Sequence, residues 1–372
     1  MFQSKHYVPI LKWKRAEQKA LVELENKNKK YITPVIQFVM PKPKSPGIVV
    51  EEKNQDEKIN EVILKFKEKI PKIPAEILKF WGKNPVFIDV SLLYTTNLKA
   101  ESFEKIITEG NKLGTLLIPI LYLCDDQKIK EIACSLDKKY NNGLCLRLIC
   151  SDFSDLSTLP EKIERFLKSY KLSEENIDLL VDIKEIEGND YKCLKYINLS
   201  QKIPNLLKWR TFTFASGAFP KDLSQCKIDE ENLIPRIDWK NWINQINGKK
   251  LLRNSSFSDY TIQHPIYDES SQFYPPTTSI KYALENDWLI MKGKKRKFEL
   301  YLANAKLLSE NDEWFSGENF SYGDKFIAEK GRHFEKYQKN PEIKGTGSTE
   351  TWLTAGINHH LVRTIKQIAN LI

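Results

Sequence analysis

Three charged side chains fall inside runs that are otherwise apolar. Asp89 lies in VFIDVS, Arg147 in LCLRLI and Asp182 in DLLVDI, the last followed by Lys184 and Glu185. A buried charge is costly unless a partner offsets the lost water, so these three are expected to meet. Two chemistries stay open. In one, they form an ion-pair network that fixes a core. In the other, Arg147 offers its planar fork to a phosphate or carboxylate, and Asp89 or Asp182 serves as a general base, its pKa raised by burial.

Further polar residues stand at the ends of apolar runs. Ser216 and Gly217 follow RTFTFA; Asp259, Gln263 and His264 fall in SDYTIQHP; Lys281 and Tyr282 fall in SIKYA. Lys281 would supply a second cation for an anion. His264, with one of His359 and His360, would close the site. Asp89, Asp182 and His264 are also a donor set that divalent metals accept, though no spacing demands a metal. His359 and His360 are adjacent, so on a helix they diverge by roughly 100° and do not share one ion. SGAFP (216–220) offers backbone N–H groups to an anion, or is an ordinary turn. GTGSTETW (345–352) reads as a flexible connection into a last helix. Trp13 in KWKR and Trp239 with Trp242 in IDWKNW, each near a lysine, would stack bases or pack a core. No P-loop, H-E-x-x-H or G-x-S-x-G occurs, and no pattern names a cofactor.

The segments that must position these residues alternate. Short apolar runs cover 34–39, 86–91, 116–121, 144–149, 178–183, 210–215 and 260–266, and 279–293 is one strand or a hairpin. Amphipathic stretches fill most gaps; in 57–80, for example, Ile59, Val62, Ile63 and Phe66 recur at helical intervals. Near-continuous apolar strands suit a parallel sheet covered on both faces. Repeated strand–helix units of this size predict an α/β fold, a (β/α)8 TIM-like barrel with a C-terminal extension. The rival is an open doubly wound sheet, and no G-x-G-x-x-G follows an early strand to support it. HYVPILKWKR, ahead of these runs, would add a strand and shift the count by one. The barrel is expected over 1–293 with that lead-in, and the extension over 294–372 packed on it. There Ile357, Leu361, Ile365 and Ile368 mark a docking helix. The loop over 42–56 follows a strand and is a candidate lid, or a mobile insertion.

Composition limits the class. Among 372 residues, 41% are apolar and 29% charged, which suits a packed core under a solvated surface rather than disorder. The net charge of +9 comes mainly from dispersed lysines; gathered on one face, they would suit nucleic acid. The six cysteines form no C-x-x-C or zinc spacing and read as reduced core thiols. No apolar run spans a membrane and no signal-like stretch opens the chain, so a cytoplasmic location is expected.

The motifs YVPILKWK, FIDVS, SGAFP, IPRIDWKNW, SDYTIQHP, SIKYA, YGDKFI and TWLTAGINHHL run almost end to end. Together they resemble the family known as beta protein, found in tailed phages and bacterial genomes. The resemblance implies a phage or mobile-element context and a part in phage–host conflict, as antiviral defence or its counterpart. It implies no settled reaction. The positions it carries over are Lys12, Asp89, Arg147, Asp182, Arg236, Asp259, Tyr260, Gln263, His264, Asp324, Trp352, Asn358, His359 and His360. Ala16, Gln37, Ser258 and Lys281 depart from its glycine, acid, glycine and arginine. The lost acid at 37 weakens a metal-dependent chemistry, and lysine at 281 gives up the fork. Ligand contacts are therefore expected from Lys12, Arg147, Ser216, Asp259, Tyr260, Gln263, Lys281, His359 and His360, around Asp89, Asp182 and His264 as catalytic groups. The ligand would bear phosphate, as a nucleotide or nucleic-acid end. The alternatives are a non-enzymatic protein that binds a phage or host protein, and a phosphodiesterase-type hydrolase.

Overall fold

The computed structural model describes residues 2, 4–41, 55–186, 188, 190–248, 250–268, 277–342 and 344–371. Eleven strands are described: β1 Ile10–Lys12, β2 Val35–Gln37, β3 Val86–Asp89, β4 Leu117–Tyr122, β5 Leu144–Ile149, β6 Ile177–Glu185, β7 Thr211–Gly217, β8 Glu231–Pro235, β9 Ser256–Ser258, β10 Thr277–Ala283 and β11 Asp287–Lys295. β1 to β7 and β9 form one eight-stranded sheet, parallel at every pairing. It closes where Tyr7 bridges Phe257 and the Val8 and Ile10 amides donate to Phe257 O and Asp259 O at 2.9 and 2.8 Å. The fold is thus a TIM-like barrel.

Twelve α-helices are described alongside the strands. α1 Arg15–Val22, α2 Asn26–Lys29, α3 Gln55–Lys69, α4 Ile73–Phe80, α5 Thr96–Lys112, α6 Gln127–Tyr140, α7 Leu159–Tyr170, α8 Asp190–Ser200 and α9 Ile237–Asn247 lie along the barrel's course. α10 Glu299–Ser309, α11 Tyr322–Lys339 and α12 Thr349–Ala369 follow it. The break between α3 and α4 has a physical cause: Pro71 and Pro74 each lack an amide hydrogen, and both stand at helix starts.

One expected strand is corrected, and one open choice is resolved. Residues 260–266 form a turn, not a strand, and the closing strand is the shorter β9. Its sequence, SFS, carries small hydroxyls on the side where the other strands carry large apolar groups, so no apolar run announces it. Residues 279–293 form the hairpin β10–β11, which pairs antiparallel with β8 in a separate three-stranded sheet. The barrel still has eight strands because the lead-in supplies β1. The expected barrel–extension line at 293/294 falls inside β11. Most of the loop proposed as a lid, residues 42–54, lies outside the described residues.

The small sheet carries its own core, in which Ile280, Tyr282, Leu289 and Met291 pack on Tyr301, Leu308, Ile327 and Trp352. α12 lies between this unit and the barrel, packed on α1, α11 and β10. It starts where Ser348 caps the Thr351 amide, so the end of the glycine-rich connection is the helix cap itself. α11 meets α12 at Gly323, where an added Cβ would stand 2.2 Å from the Ala355 carbonyl oxygen. Only glycine permits that approach.

Candidate functional site

Strand alternation builds the site. Leu11, Ile36, Ile88, Leu121, Leu146, Val181, Phe214 and Phe257 face outward, into the core between strands and helices. Ile10, Val35, Phe87, Ile120, Cys145, Leu180 and Ala215 face inward and fill the barrel with an apolar layer. Two residues further along each strand the same inward face carries Lys12, Gln37, Asp89, Tyr122, Arg147, Asp182 and Gly217. Tyr260 follows β9 in the same register. The polar layer thus lies at the C-terminal ends of the strands, where barrel enzymes place their chemistry.

Arg147, Asp89 and Asp182 are all 0% exposed. Arg147 Nη1 donates to Asp89 Oδ2 at 2.6 Å, while Nη2 and Nε donate to Asp182 Oδ2 at 2.6 and 3.2 Å. Nη2 also reaches the Tyr260 hydroxyl at 2.9 Å, and that hydroxyl donates to Asp182 at 2.7 Å. Gln37 Nε2 and the Tyr122 hydroxyl donate to Asp89 Oδ2 at 2.7 and 3.2 Å, and the Ser91 amide donates to Oδ1 at 2.8 Å. Burial alone would push both carboxyls up, but the surrounding positive charge and hydrogen bonds outweigh it. Arg147 and the Ser91 amide hold Asp89 below the usual range, and Lys184 and Arg147 do the same for Asp182.

Above this floor sit two lysines and a glutamate. Lys184 takes a left-handed backbone, φ 56°, at the register shift where β6 leaves β7, and its Nζ lies 3.3 Å from Asp182. Lys12, only 5% exposed, donates to the His264 carbonyl at 3.2 Å. Burial pushes its ammonium down to about 8, against the opposing pull of Glu17. Glu17, in the first turn of α1 and 1% exposed, accepts from Gln263 Nε2 at 2.8 Å. Its other oxygen has no hydrogen-bond partner among the described residues. Burial raises its carboxyl. The turn after Tyr260 covers the mouth and is tied down through His264 O, Gln263 and the Ile262 carbonyl, which accepts from Lys281 Nζ at 3.3 Å. Burial brings Lys281 to about 8, and its Nζ lies 4.6 Å from the Phe219 ring centre.

The remaining expected residues lie elsewhere. Ser216, by alternation, is on the outer face of β7. The Ala218 amide of SGAFP donates to Asp238 at 3.2 Å. Asp259 leaves the barrel wall towards α12, where it bonds His360 Nε2 at 2.8 Å and accepts from the Tyr7 hydroxyl. His359 bonds Asp324 at 2.8 Å and donates to Ala283 O at 2.8 Å. The adjacent histidines therefore join separate networks. Arg236, fully buried, reaches Leu284 O, Gln367 and Thr364. Trp239 and Trp242 pack on Phe257 rather than offering faces to bases. The His264 ring is not with Asp89 and Asp182, and among the described residues no group of three His, Cys, Asp or Glu side chains is arranged for a metal ion. Glu17 escaped notice in the sequence, although it is the acid on the face of α1 that also carries Ala20 and Leu21.

The buried histidines set an acid limit. Burial pushes His6 down to about 3 and lowers His360. The unfolded chain binds these protons at about 6.5, so stability is full above that value and falls as the pH drops below it. The urea midpoint should decline between about pH 7 and pH 5, and His6→Gln should flatten the decline. A midpoint constant over that range would contradict the assignment.

A closed parallel barrel with a charged, desolvated layer at its C-terminal mouth defines the class: a TIM-like barrel protein with a polar mouth. The chain belongs to the beta protein family, whose model matches residues 7–366. No curated protein matches it. Among solved structures it is similar to a mutant tryptophan synthase alpha-subunit from Pyrococcus furiosus, with 10% identity, a TM-score of 0.40, and 70% of this chain and 89% of that chain covered. It is also similar to an endo-beta-N-acetylglucosaminidase from Cordyceps militaris, with 10% identity, a TM-score of 0.29, and 70% and 82% covered. The C-terminal domain of a putative chitinase from Desulfitobacterium hafniense is matched at 11% identity and a TM-score of 0.27 over 98% and 99%. The barrel assignment rests on the strand pairing of the chain itself. No helix among the described residues is long and apolar enough to cross a membrane.

Proposed function

We propose that the barrel mouth binds a phosphate-bearing ligand, a nucleotide or nucleic-acid end, and that Lys12 and Lys184 hold its anionic group. Lys12 carries this reading: it is a buried ammonium whose hydrogen bond goes to a carbonyl instead of a carboxylate. A buried cation that makes no ion pair among the described residues is unfavourable, and an incoming anion lowers that cost. Lys184 supports it, since both ammonium groups lie over the Tyr260 ring, at 5.9 and 5.3 Å from its centre. Arg147 has its N–H groups engaged within the floor, so it orients Asp89 and Asp182 rather than gripping the ligand. Those two carboxylates are held ionised and shape the site electrostatically, with Tyr260 fixed between. Gln263 and His264 contribute the cover. The phage context implied by the family resemblance assigns this binding to phage–host conflict, in antiviral defence or its counterpart.

Isothermal titration with a short 5′-phosphorylated oligonucleotide and with a nucleoside monophosphate tests the reading. Lys12→Met and Lys184→Met should each weaken binding by about tenfold or more, since hydrogen bonds to charged groups contribute roughly 1.5–3 kcal/mol. Binding by wild type that neither substitution changes, or no binding by wild type, would overturn it.

A further inference from the structure

Lys12 and Glu17 close the β1–α1 connection from its two sides, five positions apart, and adjacent residues of one covering turn hold them. Gln263 bonds one Glu17 oxygen, and the His264 carbonyl takes one Lys12 proton. The second Glu17 oxygen is buried without a hydrogen-bond partner among the described residues. A buried acceptor left unsatisfied is destabilising, and native interiors keep few such atoms. Here it belongs to a carboxylate beside a buried ammonium that still has donors to give.

The turn that seals the pair is itself uncomfortable. Thr261 adopts φ 57°, a left-handed conformation that β-branched residues rarely take, and its buried hydroxyl oxygen also lacks a partner among the described residues. The orphaned Glu17 oxygen, the under-used Lys12 donors and the strained cover all lie at the mouth.

A group that satisfies both side chains must accept from Lys12 and donate to Glu17. A bare phosphate oxygen accepts only, whereas a hydroxyl does both. We propose that the ligand of this mouth is a hydroxyl-bearing phosphate ester, of the sugar-phosphate class, and that Glu17 accepts the hydrogen bond of its hydroxyl. This rests on the anion-binding function proposed above. Glu17 then selects the ligand, while Lys184 and Lys12 carry its charge.

Two probes that differ in their hydroxyls separate this from simple anion binding: glycerol 1-phosphate and propyl phosphate, titrated calorimetrically into the full chain. Wild type should bind glycerol 1-phosphate about tenfold more tightly. Glu17→Met should abolish that preference while propyl phosphate still binds, and a urea transition at wild-type slope shows that the variant is folded. Glu17→Gln keeps an acceptor and should retain part of the preference. Equal wild-type affinity for the two probes overturns the hydroxyl assignment and leaves the anion site standing. Glu17→Met weakening both probes alike overturns it too, because Glu17 would then act by holding the covering turn through Gln263 and not by meeting a hydroxyl. Failure of both probes to bind wild type overturns the anion site and the hydroxyl assignment with it.

Discussion

Replacing Arg147 with methionine should destabilise the fold by about 3–5 kcal/mol, the cost found when one partner of a buried ion pair is removed. Arg147 is 0% exposed and is the cation bonded to both Asp89 and Asp182. Without it, two carboxylates remain desolvated in the barrel, with Lys184 alone beside Asp182. Much of the loss should return when Asp89→Asn and Asp182→Asn accompany Arg147→Met, because the charges that need a partner are then gone. Urea denaturation reads the difference directly through the midpoint at constant slope. A single-variant loss below about 1 kcal/mol would mean that water reaches the trio. A triple variant no better than the single one would mean that the hydrogen bonds, not the charges, carry the effect.

Ending the chain at Ser348, so that α12 is missing, should leave no cooperative unfolding transition. The helix buries Trp352, Ile357, Leu361, Val362, Ile365 and Ile368. Each large apolar side chain contributes about 1.5–3 kcal/mol by burial, so together they reach roughly the whole stability of a domain. The cut also strands polar groups. Asp259 loses His360, Asp324 loses His359, and Arg236 loses Gln367 and Thr364. A partner-binding tail that comes off and leaves a folded barrel is therefore not expected. Circular dichroism and a urea titration of the truncated chain decide the matter: a sharp transition near the wild-type midpoint would show the barrel to be independent of α12.

Periodicity was sufficient for the class of fold and for most barrel strands, because a strand buried on both faces reads as a continuous apolar run. It was also sufficient for the last helix, whose apolar residues recur along one face. The misread strand and the missed one just before it have a common cause. β9 is three residues long and lined by serines, whereas the following YTIQHPI has the apolar content of a strand but turns at Thr261. Local composition cannot register where hydrogen bonding to a distant strand stops.

Within the site, the sequence by itself determined that Asp89, Arg147 and Asp182 had to meet, because a charge inside an apolar strand must find a partner. Only the tertiary structure decided what their meeting amounts to. Closure of the barrel placed both carboxylates against one guanidinium and engaged each of its three nitrogens, so the anion-binding part passes in our proposal to Lys12 and Lys184. The chain also put Asp259 next to Tyr260 without revealing that alternation sends one to α12 and the other to the barrel floor. Glu17 and Gln263 are separated by 246 positions and form one hydrogen bond. Such a pair depends on how strand ends converge around a ring, a property of closure that no local stretch of sequence contains.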